Sequence, residues 1–294
     1  MKKIFVICLV VLSIILILYT LQPKDNYMPS QIDEIEVVKQ NETYSNDLNA
    51  KDISAAENIN TDLNNVKNHL SSESNSDDFY RDTVCHRYYS FSYSEDNEQP
   101  VWVNYILTKE MMQNPMVKRK DEFREDPDVQ SGSAQLKDYV GSGYDRGHLC
   151  PAKAMECSKI AMSESFFMSN MSPQHPSLNR GIWKKLESKE RNWAVDFDSV
   201  KVYCGGIFDS IIEYIGPNRV AVPKYYYKIV YSESNSDHSV SFVFPNEKCS
   251  LPLTSYITSI DSIEKLTHLN FFSEFEEDYQ KTFESDVAYL NWNF

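Results

Sequence analysis

The chain has 294 residues, 41% hydrophobic and 13% aromatic, with a formal charge of −14. That is enough apolar material for one substantial core with appendages, and the acidity argues against tight non-specific binding of polyanions through net charge. It does not exclude catalysis on them, because local fields rather than the sum steer a polyanion into a cleft.

Lys2 and Lys3 precede an uncharged, proline-free apolar run from Ile4 to Leu21. The run is at the lower limit of a membrane-crossing helix and ends without an Ala-x-Ala pattern. Residues 1–22 therefore read as an uncleaved signal anchor with its N-terminus inside, or else as a cleaved signal peptide that would release the chain. Residues 23–82 change character. From Lys24 to Asp82 there are 13 acidic and 5 basic side chains, and only Tyr27 and Tyr44 are aromatic before Phe79. So little apolar surface cannot offset the entropy of ordering, which predicts a disordered acidic stalk. A small helical domain over Ile53 to Leu70 is the alternative. The globular domain is expected over 83–294.

Most of the charge lies outside the middle of that domain. From Ser255 onward there are 8 acids and 2 bases, whereas 83–254 is nearly neutral. That middle holds the basic runs Lys118-Arg119-Lys120 and Arg180, Lys184, Lys185, Lys189 and Arg191. Five cysteines follow the anchor, which permits at most two disulfides, with connectivity left open. The spacing of His148, Cys150 and Cys157 is not that of a zinc site.

In chain order, Tyr89, Phe91 and Tyr93 alternate with serines, and Val101, Val103, Tyr105 and Leu107 alternate likewise after a turn-forming stretch. This predicts a β-hairpin. Further strands are expected at Val200–Phe208, Arg219–Tyr231 and Ser239–Phe244, and helices at Asn179–Trp193 and Ser262–Leu266. Asp261 with Glu264 is the expected cap of the second helix. Without a regular βαβ rhythm or a Gly-rich phosphate loop, the class is α+β.

Asp145-Arg146-Gly147-His148 places a carboxylate, a forked cation, a flexible joint and an imidazole within four positions. Phosphodiester hydrolysis needs a base for water, a cation for phosphate and a group that stabilises the leaving oxygen. An isolated four-residue match is more often a surface ion pair beside a buried histidine. Asn179, Trp183, Glu187 and Arg191 recur every four residues, predicting one stripe with asparagine oxygen, carboxylate and guanidinium on a shared face.

With Ser169-Asn170-Met171-Ser172-Pro173-Gln174 and the run from Asn179 to Glu187, these residues resemble the DNA/RNA non-specific endonuclease family. Cys204 to Phe208, Val220 to Lys224 and Ile263 to Phe272 extend the resemblance over about 83 to 290. It implies a ββα-metal fold with a mixed, mainly antiparallel sheet and flanking helices. It also implies a Mg²⁺-dependent endonuclease, with Mn²⁺ as a substitute, cutting DNA and RNA to 5′-phosphate products. By this resemblance His148 is the general base and Asn179 the protein metal ligand. Arg146 and Arg191 contact phosphate, Lys184 adds to substrate binding, Glu187 reaches the metal through water, and Asn170 supports the active site.

Cys150, Lys153 and His268 depart from the family pattern without removing a matched residue. The partners expected are DNA and RNA, and the membrane through the anchor, with a homodimer left open. The domain is expected outside the membrane of a bacterial cell. The alternatives are a non-catalytic nucleic-acid-binding or uptake receptor with the same fold, and a structural surface protein.

Overall fold

A computed structural model describes residues 83–232, 238–287, 289 and 291–294. The predicted anchor and stalk lie outside the described residues. Among those that are described, no helix is long and apolar enough to cross a membrane.

The domain is built on a seven-stranded sheet. Strands β1 (Thr83–Cys85), β2 (Tyr89–Ser94) and β3 (Gln99–Thr108) form its first half. The β2–β3 pair is the predicted hairpin, with a bulge between Ser92 and Tyr93. After β3 the chain leaves the sheet for residues 109–198, then returns as β6 (Ser199–Ile215), β7 (Val220–Ser232), β8 (His238–Pro245) and β9 (Ile257–Thr258). The strand order is β1-β2-β3-β6-β7-β8-β9, with every pairing antiparallel. The expected mixed character reduces to one isolated parallel bridge, between Arg124 and Phe167, among the described residues.

The excursion carries α1 (Lys109–Gln113), α2 (Leu136–Tyr139), strand β4 (Asp145–His148), α3 (Lys159–Glu164), strand β5 (Met171–Gln174) and α4 (Lys184–Asp196). After the sheet come α5 (Ile260–Thr267) and α6 (Glu277–Ser285).

Both faces of the sheet are covered. Successive side chains on a strand point to opposite faces, so Tyr226 and Val230 of β7 join Val103 and Tyr105 in the core that also contains Trp183 and Trp193. Tyr225, Tyr227, Ile229 and Tyr231 join the other core, with Ile260, Ile263, Phe271 and Phe272. This two-sided burial makes β7 read as a nearly continuous apolar run.

Helix α5 extends the predicted one by two residues at its start and one at its end, and its cap differs. Ser259 accepts the Ser262 N–H as N-cap, while Glu264 accepts from the Phe271 N–H instead of completing a box with Asp261. Serine holds the cap because it stands one position before the first helical residue, where its hydroxyl reaches the free N–H groups. His268 ends α5 in the left-handed region at φ 59°, ψ 24°, a conformation glycine adopts more readily, and pairs with Asp209 at 2.9 Å. All five cysteines of the domain are free thiols.

Candidate active site

Strands β4 and β5 form a two-stranded ribbon, with Asp145 opposite Gln174 and His148 opposite Met171. The two short motifs are thereby side by side. The ribbon is pinned to the large sheet by the Tyr226 hydroxyl, which donates to the Pro173 carbonyl at 2.9 Å, and by Asn246, whose amide nitrogen donates to the same carbonyl at 3.0 Å. Gly147 is required here because any Cβ would collide with the Gln174 side chain.

Arg146 and His148 are two apart on β4 and point to the same side. The imidazole of His148 is buried, with the Phe123 ring centroid 5.7 Å away and that of Phe166 edge-on at 4.9 Å. It bonds the Arg146 backbone, while Nε2 has no hydrogen-bond partner. A proton held on Nδ1 by that bond leaves the Nε2 lone pair free. Burial pushes the imidazole down to about 3, and the neighbouring Arg119 and Arg146 charges add to the effect. His148 is thus a neutral acceptor at ordinary pH. The Arg146 guanidinium lies 4.3 Å over the Phe123 ring, with a buried Nε that makes no hydrogen bond.

The segment from Leu178 to Asp196 departs from one regular helix. Leu178–Trp183 is a π-helical turn with non-helical backbone at Gly181, and α4 begins only at Lys184. The predicted stripe is therefore broken between Asn179 and Glu187, since glycine lets the chain kink where other residues would resist. Trp183 does not sit between the polar residues of an open face. It is fully buried, packs edge-on against Tyr226 and Phe244, and donates its indole N–H to the His148 carbonyl at 3.3 Å.

Asp145 organises the start of that segment. Its carboxylate accepts the Asn179 amide nitrogen at 2.9 Å and the Arg180 guanidinium at 2.8 Å and 2.5 Å. Burial alone would raise this carboxyl, but the bonds from Arg180 and Asn179 outweigh it and hold it below the usual range. With its nitrogen engaged, Asn179 has its amide oxygen as the end available to a cation. A neutral hard oxygen of this kind suits an ion that keeps most of its water.

Glu187 is partly buried, and burial pushes it up to about 7 against the opposing pull of Lys228 and Arg191. Lys184 is exposed and precedes Arg191 by seven residues on the same side of α4. Asn170 lies beside the base as a supporting residue. It is fully buried, its oxygen accepts the Cys150 N–H at 2.8 Å, and its nitrogen donates to the Cys150 and Ser165 carbonyls, each at 2.9 Å. Both ends of the amide hold backbone, so it shapes the loop after His148.

Two residues outside the expected set belong to the site. Arg119 lies 5.0 Å over the Phe166 ring and bears electrostatically on both His148 and Glu187. Phe123 contacts both Arg146 and His148. The basic triplet at 118–120 signalled Arg119, but nothing local tied a loop arginine to a histidine 29 positions on. Groups of three metal-capable side chains occur at His86, Asp126 and Asp128 and at Asp261, Glu264 and Glu284. His86 is already paired with Asp126 at 2.8 Å.

Comparison with known proteins agrees with this geometry. Residues 66–278 match the family described as DNA/RNA non-specific endonuclease, a match that begins within the segment read as stalk. The chain is 33% identical over 198 residues to mitochondrial endonuclease G of Homo sapiens, covering 62% of this chain and 67% of that protein. It is 32% identical over 206 residues to the mitochondrial nuclease EXOG of Homo sapiens, covering 64% and 56%. To a nuclease of Syncephalastrum racemosum it is 36% identical over 213 residues, covering 64% and 66%. The chain thus spans between 56% and 67% of the length of these relatives. Among solved structures it resembles EndoG in a complex with its inhibitor EndoGI, with a TM-score of 0.62 and 32% identity over 66% of this chain and 86% of that one. The fold is that of the matched nuclease over the shared region, and the chain belongs to the DNA/RNA non-specific endonuclease family.

Proposed function

We propose that the protein is a metal-dependent endonuclease that hydrolyses phosphodiester bonds of DNA and RNA, leaving 5′-phosphates. The observation that carries this reading is the His148 imidazole, buried and neutral with an unpartnered Nε2, on the same strand face as the Arg146 guanidinium. His148 Nε2 takes a proton from water as the oxygen attacks phosphorus. Arg146 and Arg191 offset the charge growing on the phosphate, a role suited to forked donors, with Arg119 and Lys184 adding positive field at the entrance. Asn179 would hold Mg²⁺ through its amide oxygen, and Glu187 would orient an ion-bound water. The ion would supply positive charge for the leaving 3′ oxygen. Contacts confined to phosphate and sugar read sequence poorly, which fits cleavage of varied sequences.

We also propose that residues 1–22 tether the chain to a membrane, with the nuclease domain on its outer side. Fractionation with external protease checks this, and intact chain in the cytosol would contradict it. For the chemistry, plasmid DNA and a structured RNA are incubated with the protein plus Mg²⁺, with and without EDTA. Nicking of both, abolished by EDTA and by His148→Ala, is expected. Binding without cleavage would favour the receptor alternative.

A further inference from the structure

A buried charge cluster lies beneath the site, and none of the roles above uses it. Lys228 sits on the face of β7 that also carries Tyr226 and Val230, among the side chains packed toward α4. It is fully buried and forms an ion pair with Glu190 of α4 at 2.9 Å. Its ammonium donates to the Tyr105 hydroxyl of β3 at 3.2 Å, and that hydroxyl donates to the other Glu190 oxygen at 2.7 Å. Three elements meet at one charged knot. A pair of this kind is a weak source of stability, since well-packed apolar residues often serve as well or better.

The surroundings of the knot point to the site. The Lys228 ammonium lies 4.2 Å from the centre of a Trp183 ring, the same indole that holds the His148 carbonyl. Glu190 follows Glu187 by three residues on α4, so the knot and the site carboxylate share one side of the helix. Lys228 is also foremost among the charges that favour the ionised form of Glu187. The sheet thus presents one fixed positive charge to both the carboxylate and the strand of the base.

We propose that Lys228 is a positioning residue for the nuclease chemistry. Its charge, fixed by Glu190 and Tyr105, holds the Glu187 carboxylate and, through Trp183, the His148 strand in their working arrangement. This rests on the nuclease reading. The knot needs both charges to be tolerated in the core, and only Lys228 is needed for the site.

The test uses the full chain. Lys228→Met alone leaves Glu190 buried and unpaired, and is expected to lower the melting temperature. The triple variant Lys228→Met, Glu190→Met, Tyr105→Phe replaces the whole knot with apolar groups and is expected to melt at or above wild type. Its kcat on plasmid DNA is expected to fall about 10- to 100-fold, the Mg²⁺ concentration for half-maximal rate to rise, and KM for DNA to stay within about twofold. A triple variant with wild-type melting and wild-type kcat would show the knot to be structural only and overturn the proposal. Should the triple variant not fold, Lys228→Met with Glu190→Gln carries the test, because it removes the Lys228 charge together with its counter-charge and leaves the Tyr105 hydroxyl in place. A loss of about three- to tenfold in kcat at unchanged KM is then expected, and an unchanged kcat overturns the proposal. A wild-type chain that cuts no nucleic acid would overturn the nuclease reading and this inference together. A cutting wild type beside a fully active variant overturns the inference alone.

Discussion

Asn179 donates its amide nitrogen to Asp145 at 2.9 Å, so one hydrogen bond joins two motifs 34 residues apart. The bond sets which end of the amide can meet a cation. Asp145→Ala should leave that amide free to rotate. It should weaken apparent Mg²⁺ affinity by about 10- to 100-fold, with little change in DNA affinity at saturating metal. Activity titrated against Mg²⁺ is the measurement, and an unchanged midpoint would remove the orienting role.

Asn179→Ala and Glu187→Gln should separate direct from water-mediated contact with the ion. The first is expected to abolish Mg²⁺-dependent cleavage. The second should cost less and be partly recovered by raising Mg²⁺ or by Mn²⁺. Cleavage at the wild-type rate by Asn179→Ala would sink the assignment of the metal ligand.

The His148 imidazole, held down to about 3 by burial, ties stability to pH. In the unfolded chain it titrates near the ordinary 6.5, so below that pH the unfolded state binds a proton the native state refuses. Its contribution to stability is therefore intact above about 6.5 and declines on acidification down to about 3, by at most about 1.4 kcal/mol per pH unit. Denaturant melts of wild type and His148→Gln between pH 7 and 4 should show a shallower acid slope in the variant. Parallel slopes would contradict the buried neutral imidazole.

Gly147→Ala should be destabilising, by about 1–3 kcal/mol, because the new methyl must displace the Gln174 side chain across the ribbon. Activity should fall by more than the folded fraction accounts for, since the same shift moves His148. Thermal unfolding alongside kcat at a temperature where the variant is fully folded distinguishes the two losses.

What could be read in the amino acids depended on how long each pattern runs. The hairpin at Tyr89 to Leu107 alternates over many residues, the strands of the second half of the sheet are long runs rich in β-branched and aromatic residues, and the structure places β2, β3, β6, β7 and β8 there. Strands β4 and β5 have four residues each, too few for a period, and their pairing is set by contacts across the ribbon. The four-residue recurrence from Asn179 assumed unbroken α-helix, whereas Gly181 ends that assumption after one turn. Asn170 is expected to support the site, and only the fold reveals that it does so by holding the backbone of Cys150 and Ser165. Lys228 left only a faint trace: it shares its strand parity with Lys224, and nothing in the amino acids shows that Lys224 is exposed while Lys228 is buried in the core.

The long excursion between β3 and β6 leaves and rejoins the sheet at a single point. Thr108 pairs with Ser199, and Lys109 donates its backbone N–H to the Asp198 carbonyl at 2.8 Å, reinforced by a side-chain ion pair at 3.0 Å. Closing a loop of roughly 90 residues costs on the order of 4 kcal/mol of chain entropy, and almost all of the reacting groups lie inside it. The β3–β6 pairing is therefore a non-local contact of high sequence separation. Until that seam zips, Lys228 of β7 and Tyr105 of β3 have no common floor on which Glu190 could land. The segment that carries the candidate site thus has its underside only where the two halves of the sheet have met.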